Sequence, residues 1–135
     1  MEGVVRVRRE VIEQMLREAR ERPGEECCGL LAGRDGVITE AFPATNALAS
    51  ATAFEIAPAE LFRIFRAMRV AGLEHLGIYH SHPSGENAPS ARDVGRAYYP
   101  EAVYVIVTPR AEAERAVRGF SIREGVVREM RIEEG

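Results

Sequence analysis

From Leu76 to Asp93 the chain reads LGIYHSHPSGENAPSARD, and the other predicted elements are arranged around this segment. Its first four residues are apolar, as is typical of a strand, and they lead directly into His80 and His82. Side chains two residues apart on a strand share a face. The two imidazoles are therefore expected to point the same way.

A turn-rich spacer separates the histidines from the start of a helix. Pro83, Gly85 and Pro89 mark the spacer as a loop, and the segment Ser90–Asp93 is typical of a helix N-terminus. An aspartate in the first helical turn can face back toward the end of the strand. Two imidazoles and one carboxylate are a suitable ligand set for zinc, with the fourth position left to water.

Each half of this pattern also has an ordinary structural explanation. His80 and His82 alone are compatible with plain strand residues, and Ser90 with Asp93 is compatible with a capping pair, Ser at N-cap and the acid at N3. The two explanations do not conflict for Ser90, whose hydroxyl can both cap the helix and face a substrate. The complete spacing, H-x-H-x7-S-x2-D, favours the metal site.

That spacing resembles the signature of the JAMM metallopeptidases, also called the MPN+ or JAB family. In that family an upstream glutamate in the pattern Glu-x-x-Gly-Leu completes the site. Glu26-Cys27-Cys28-Gly29-Leu30 supplies the pattern here, so the matching residue is Glu26 and not Glu25. Asn46 and the segment Phe54–Pro58 are similar to the prokaryotic branch, and the resemblance extends over nearly the whole chain.

The resemblance implies a role for each of these residues. His80, His82 and Asp93 would bind Zn²⁺, which lowers the pKa of a bound water and polarises a carbonyl. Glu26 would act as general base and return the proton to the leaving amine. Ser90 would donate a hydrogen bond to the oxyanion. Together these roles describe a zinc metallopeptidase or isopeptidase.

The substrate is also implied by the resemblance. The family cleaves peptide or isopeptide bonds after the C-terminal Gly-Gly of ubiquitin-like proteins, and its prokaryotic members act on small ubiquitin-like proteins, including sulfur carriers. We therefore expect a small ubiquitin-like protein or sulfur carrier as partner. The leaving group is open between free cysteine and a protein lysine, and the oligomeric state is open between monomer and homodimer.

Length and charge set further limits. The 135 residues fit one domain, residues 1–135. A net charge of −3 gives no indication of nucleic acid or an anionic membrane as partner. The sequence contains no apolar run long enough for a signal peptide or a membrane span. We expect a cytoplasmic protein.

Hydrophobic periodicity predicts alternating strands and helices with hairpins at both ends. The predicted strands are 4–8, 27–33, 37–42, 54–56, 75–82, 102–108, 116–123 and 126–132, and the predicted helices are 9–22, 58–71 and a short one ending near Tyr98. This order predicts an α/β fold, a three-layer mixed sheet flanked by helices. The resemblance implies the same fold, a cytidine-deaminase-like JAB/MPN domain, although no Pro-Cys-x-x-Cys of the deaminases follows the histidines.

The same periodicity predicts which side chains are buried. The second helix is expected to bury Leu61, Phe62, Ile64, Phe65 and Met68. The core as a whole is expected to contain Leu30, Leu31, Leu61, Phe65, Ile78, Val103, Val105 and Val107.

Four other residues with reactive side chains have simpler interpretations. Cys27 and Cys28 are expected to be small buried residues, because a buried strand does not lower the pKa of a thiol. His75 is expected at the surface, facing away from His80 and His82. Glu86 is expected to be a solvated loop residue.

Two other functions would use parts of the same pattern. A non-catalytic scaffold of the wider family would have lost its ligands, and here the set is intact. A metallo-β-lactamase would carry an Asp-His pair just after H-x-H, where this chain has Pro83-Ser84. Metal content would distinguish the first alternative, and the range of substrates the second.

Overall fold

The computed structural model describes residues 3–110 and 112–135, and in this part strands and helices alternate along the chain. The strands are β1 (Val4–Val7), β2 (Cys28–Arg34), β3 (Val37–Ala44), β4 (Glu74–Ser81), β5 (Val103–Val107), β6 (Val117–Arg123) and β7 (Val126–Glu134); the helices are α1 (Arg9–Glu21), α2 (Pro58–Val70) and α3 (Ala91–Gly95). The predicted α/β class, a mixed sheet with helices, is confirmed.

The sheet has the strand order β1-β3-β2-β4-β5-β6-β7 and closes into a barrel. β2 is antiparallel to both β3 and β4, whereas β4 and β5 run parallel. Closure depends on β1, which pairs in parallel with β3 through Val7 and Ile38 and with β7 through Val5 and Ile132. The pairing of β1 with β7 was not predicted from the sequence.

Two apolar clusters cover the two faces of the central strands. Alternate residues of β2 point to opposite faces, so Leu31 enters the cluster under α1 and Leu30 enters the cluster under α2. α1 contributes Val11, Met15 and Ala19, which lie four residues apart on one helical face. Burial on both faces explains why β2 and β5 are apolar without alternation.

The predicted core is confirmed, but one residue predicted on the buried face of the second helix is exposed. Six of its members are buried and Leu61 and Phe65 are half-buried; the buried ones are Leu30, Leu31, Ile78, Val103, Val105 and Val107. Phe62 was wrongly predicted to be buried and is 68% exposed. Successive residues turn by about 100° around a helix, so a face that buries Leu61 and Phe65 turns Phe62 to solvent.

Truncation of Leu30 to alanine is expected to lower the free energy of unfolding by about 2–5 kcal/mol. Leu30 is fully buried in the cluster under α2, and the cavity left behind cannot be refilled by neighbours fixed on β4 and β5. Denaturant unfolding of the two proteins measures the difference. Phe62→Ala is the control on α2 and is expected to change stability by less than about 0.5 kcal/mol. Equal effects of the two substitutions would contradict the burial described here.

One predicted strand does not form and two predicted elements end at other residues, each for a local reason. Residues 54–56 form no strand in the described chain, because the amide of Glu55 bonds to the side chain of Asn46 instead of to a neighbouring strand. β3 continues through Pro43, which the edge position tolerates because β1 pairs only with the start of β3. α3 ends at Gly95, and Tyr99 then bonds to the hydroxyl of Tyr104.

His75 was wrongly predicted to be a surface residue facing away from His80. It is half-buried, and its ring packs edge-on against Phe65 and Tyr99 on the α2 side of the sheet. A register shift places Ala32 opposite His75 and Leu31 opposite Gly77, so β4 carries one extra residue at this point. A bulge of this kind reverses the alternation of faces beyond it.

The helices of the described residues are short. α1 and α2 have 13 residues each, and no helix in this part of the chain is long and apolar enough to cross a membrane.

Candidate metal centre

The candidate site lies where β4 ends. Cys28 of β2 pairs with His80 on one side, and Ile106 of β5 pairs with it on the other. His82 follows one residue beyond β4 and remains held, because its amide donates to the carbonyl of Val107. Both imidazoles are buried. The sheet therefore fixes the backbone of His80 from both sides and that of His82 from the β5 side.

The two histidines and Asp93 bring three ligand atoms together. The Nε2 atoms of His80 and His82 are 3.1 Å apart, and each lies 3.2 Å from Oδ2 of Asp93. Glu26 adds a fourth group, and one ligand atom from each of the four residues lies within 4.8 Å of the others.

The N-terminus of α3 holds Asp93 in this position. Ser90 is the N-cap: its Oγ accepts from the amide of Asp93 at 3.1 Å, and its own amide donates to Oδ2 of Asp93 at 2.9 Å. This reciprocal pair is a capping box. The same carboxylate oxygen thus caps the helix and faces the histidines. Ser90 is exposed at the border of the cluster, and its hydroxyl hydrogen remains available to another acceptor.

Contacts behind the imidazoles orient the rings. Nδ1 of His82 lies 2.8 Å from the carbonyl oxygen of Glu86, which can only accept, so Nδ1 carries the hydrogen and Nε2 keeps its lone pair. The ring of Phe54 stacks on His80, with centroids 4.6 Å apart and planes inclined by 26°. Nδ1 of His80 is buried without a hydrogen-bond partner among the described residues.

Glu26 lies beside the three ligand atoms and just outside β2, two residues before the strand begins. Its Oε2 is 4.0 Å from Nε2 of His82, which is beyond hydrogen-bond distance. Its Oε1 is buried and has no partner among the described residues. Burial raises the pKa of Glu26 to about 7, against the opposing influence of His82. A carboxyl group with this pKa can accept and release a proton near neutral pH.

His80 and Asp93 are held in the protonation states that bind a metal. Burial lowers the pKa of His80, which favours the neutral imidazole. Burial alone would raise the pKa of Asp93, but hydrogen bonds with His80 and His82 outweigh it and keep the carboxylate ionised. Burial also opposes protonation of His82, but its contacts with Asp93 and the Glu86 carbonyl outweigh burial and raise its pKa, so a metal ion would compete with a proton for Nε2.

The donor set and its spacing fit a small metal ion. Tetrahedral nitrogen or oxygen ligands at about 2.0–2.1 Å from zinc lie about 3.3 Å from one another. The three edges of 3.1–3.2 Å between His80, His82 and Asp93 are close to that value.

An apolar cavity of about 130 Å³ opens beside His80 and Asp93. Phe54, Ile56 and Leu61 form part of its wall, and Arg92 and Arg96 lie at its rim. Arg96 is paired with Glu55 at 2.8 Å. The site therefore combines a polar cluster with an adjacent apolar surface, as is typical of ligand-binding clefts.

The remaining reactive side chains do not join the cluster. Cys27 and Cys28 are buried free thiols, and burial raises their pKa values to about 11 and about 12. Neither thiol is a nucleophile at neutral pH. The carboxylate of Glu86 is exposed, as predicted, although its carbonyl orients His82. That contact has no signal in the sequence, because any residue type offers the same carbonyl.

Gly29 of the Glu-x-x-Gly-Leu pattern has a steric reason to be glycine. A Cβ atom at this position would lie 2.5 Å from the carbonyl oxygen of Phe42 and 2.6 Å from the ring and hydroxyl of Tyr79. The Tyr79 hydroxyl in turn donates to Glu18 of α1 at 2.9 Å. The absence of a side chain at Gly29 thus leaves room for the ring of Tyr79 to pack against β2 next to the site.

A mixed sheet with two histidines at a strand end, an acid on the next helix and a glutamate beside them defines a JAB-type domain. The chain belongs to the prokaryotic homologs of the JAB domain, whose family model matches residues 8–121.

Similar proteins come from bacteria and archaea. A CysO-cysteine peptidase from Mycobacterium tuberculosis is 35% identical over 128 residues, which cover 93% of this chain and 88% of the relative. A desampylase from Haloferax volcanii is 41% identical over 90 residues, 64% of this chain and 65% of that protein. The solution structure of a protein from Desulfitobacterium hafniense matches with a TM-score of 0.85 and 32% identity, over 98% of this chain and 92% of the other.

Proposed function

We propose that this protein is a zinc-dependent peptidase or isopeptidase that hydrolyses the amide bond after the C-terminal Gly-Gly of a small ubiquitin-like protein or sulfur carrier. The observation that carries the proposal is the cluster of three buried residues, Glu26, His80 and His82, with the half-buried Asp93. Membership of the JAB family and the names of two relatives, a CysO-cysteine peptidase and a desampylase, support the substrate class.

Within this proposal His80, His82 and Asp93 hold the metal. A zinc ion bound there would lower the pKa of a water at its open position and polarise the scissile carbonyl. The Nδ1 contact of His82 with Glu86 and the capping box at Asp93 keep the ligand atoms oriented before the ion binds.

Glu26 acts as the proton carrier of the reaction. It accepts a proton from the attacking water as the new C–O bond forms, and it delivers that proton to the amine nitrogen as the C–N bond breaks. Burial raises its pKa above that of an exposed glutamate, which favours proton uptake. Ser90 donates its free hydroxyl hydrogen to the carbonyl oxygen as negative charge develops there. The products are a carboxylate at the terminal glycine and a free amine.

Purified protein is expected to contain about one zinc ion per chain, because three oriented ligands leave only the fourth position open. Elemental analysis of protein prepared without added metal measures this, and titration with Zn²⁺ of chelator-treated protein measures binding. Absence of zinc in both experiments would contradict the site assignment and leave the scaffold alternative.

The substrate class is tested with a panel of ubiquitin-like proteins. Each carries a C-terminal extension after Gly-Gly, either a single cysteine or a peptide joined through a lysine side chain, and products are identified by mass spectrometry. We expect cleavage directly after the second glycine. Matched substrates ending in Gly-Ala are the control. Cleavage elsewhere, or none with zinc-loaded protein, would contradict the proposed function.

A further inference from the structure

The loop between β3 and α2, residues 45–57, is closed by one buried side chain, that of Asn46. This side chain has five hydrogen-bond partners: the two hydrogens of its Nδ2 are shared among the carbonyls of Glu26, Ser50 and Ala53, and its Oδ1 accepts from the amides of Leu48 and Glu55. We propose that Asn46 is a positioning residue of the active site that fixes Glu26. This inference rests on the proposed function of Glu26.

The carboxylate of Glu26 is not held by any hydrogen-bond donor within the described residues. Its Oε1 has no partner, and its Oε2 is 4.0 Å from the nearest imidazole nitrogen. Its position has to be set through the backbone that carries it.

The sheet does not fix that backbone. Glu26 lies two residues before β2 and outside its pairing with β4. Both backbone polar groups of the next residue, Cys27, bond to Ser81. The Cys27 amide donates to Oγ of Ser81 at 2.8 Å, and the Cys27 carbonyl accepts from the Ser81 amide at 2.9 Å. The hydrogen bonds between the neighbouring strands therefore reach Cys27 but do not reach Glu26.

The loop supplies the missing contacts. The amide of Glu26 donates to the carbonyl of Ser50 at 2.8 Å, and its carbonyl accepts from Nδ2 of Asn46 at 3.0 Å. Asn46 also lies 3.3 Å from the Ser50 carbonyl, so it positions the partner of the Glu26 amide as well. Both polar groups of the Glu26 backbone thus depend on one asparagine.

The same side chain connects Glu26 to a metal ligand. Asn46 donates to the carbonyl of Ala53 at 2.9 Å and accepts from the amide of Glu55 at 3.2 Å. The residue between those two contacts is Phe54, whose ring stacks on His80. Only a carboxamide offers two N–H donors and an acceptor oxygen at this reach. Asn46 thereby fixes the position of Glu26 relative to Phe54, the residue that stacks on His80.

The substitution Asn46→Asp tests the proposal with little change of shape. It keeps an acceptor for Leu48 and Glu55 and removes the donors to Glu26, Ser50 and Ala53. Misplacement of a catalytic group by about 1 Å costs up to about 10²-fold in rate. We expect kcat to fall about 10–100-fold, with KM within about threefold and zinc content unchanged. Asn46→Ala also removes the acceptor for the Leu48 and Glu55 amides, and its kcat is expected to fall at least as far.

A double-mutant cycle with Glu26→Gln separates positioning from general damage. If Asn46 acts through Glu26, Asn46→Asp changes the residual rate of Glu26→Gln by less than about threefold. Val11→Ala, which removes buried methyl groups from α1 on the other face of the sheet, is the stability control and is expected to keep kcat. The proposal is overturned if Asn46→Asp slows both backgrounds equally, or if it leaves the wild-type rate within twofold.

Amide hydrogen exchange of ¹⁵N-labelled protein tests the same contact without any substrate. In Asn46→Asp the Glu26 amide is expected to exchange at least about tenfold faster than in the wild type, while the neighbouring Cys27 amide, held by Ser81, stays protected. Unchanged exchange at Glu26 would refute the positioning role. A wild-type protein that cleaves no member of the panel would refute the proposed function instead, whatever the exchange shows.

Discussion

Replacing Glu26 by glutamine is expected to slow amide cleavage by at least about 10²-fold while the protein keeps its zinc. Glutamine preserves the shape of the side chain and its ability to accept a hydrogen bond, but it cannot take up a proton. Oε2 of Glu26 lies 4.0 Å from His82, outside the triangle formed by the two histidines and Asp93. Loss of its charge therefore leaves the three ligand atoms in place.

Glu25 provides the matched control for this substitution. It is half-exposed and lies 3.7 Å from Arg22, with no contact to the cluster, so Glu25→Gln is expected to leave the rate within a few-fold. Zinc content and cleavage rate are measured on both variants. Loss of zinc from Glu26→Gln would make Glu26 a ligand. A slow Glu25→Gln would place the base one residue earlier, and normal rates in both would leave no general base at this position.

The local part of the site could be predicted from the sequence because short-range geometry determines it. Alternation along a strand places His80 and His82 on one face, and a capping box needs Ser90 and Asp93 three residues apart. Glu26 is 54 residues away from His80 along the chain, and no periodicity relates the two. Its position was indicated only by the resemblance to a known family, and the pairing of Cys28 with His80 explains the proximity.

The parts that could not be predicted depend on tertiary contacts. A single bulge in β4 turns His75 toward Phe65 and Tyr99, and alternation alone cannot anticipate it. The segment around Phe54 has strand-like composition, yet the side chain of Asn46 satisfies its backbone and keeps it in a loop. At His75 a register shift changes which face of β4 the side chain occupies, and at Phe54 side-chain hydrogen bonds take the place of strand pairing.

Substituting His82 by alanine is expected to abolish zinc binding at stoichiometric concentration and to reduce cleavage to background. Nε2 of His82 is one corner of the ligand triangle, and its Nδ1 also ties the loop after β4 through the carbonyl of Glu86. Two remaining ligands, His80 and Asp93, cannot hold a catalytic zinc that needs three protein groups. Because metal binding stabilises the folded state, the melting temperature should also fall, and added Zn²⁺ should no longer raise it.

His75→Ala is the matched control, since it removes a half-buried imidazole from β4, the strand that leads into His82. His75 packs against Phe65 and Tyr99 and bonds to the Gly77 carbonyl at 3.0 Å, without contact to the cluster. The His75→Ala variant is expected to melt at a lower temperature than the wild type. Its zinc content, its cleavage rate and its stabilisation by added Zn²⁺ are expected to be unchanged. Elemental analysis, thermal melts with and without Zn²⁺, and cleavage rates distinguish the two variants. If His82→Ala retained stoichiometric zinc, the metal would have to bind through Glu26, His80 and Asp93, and Glu26 would then be a ligand instead of the base.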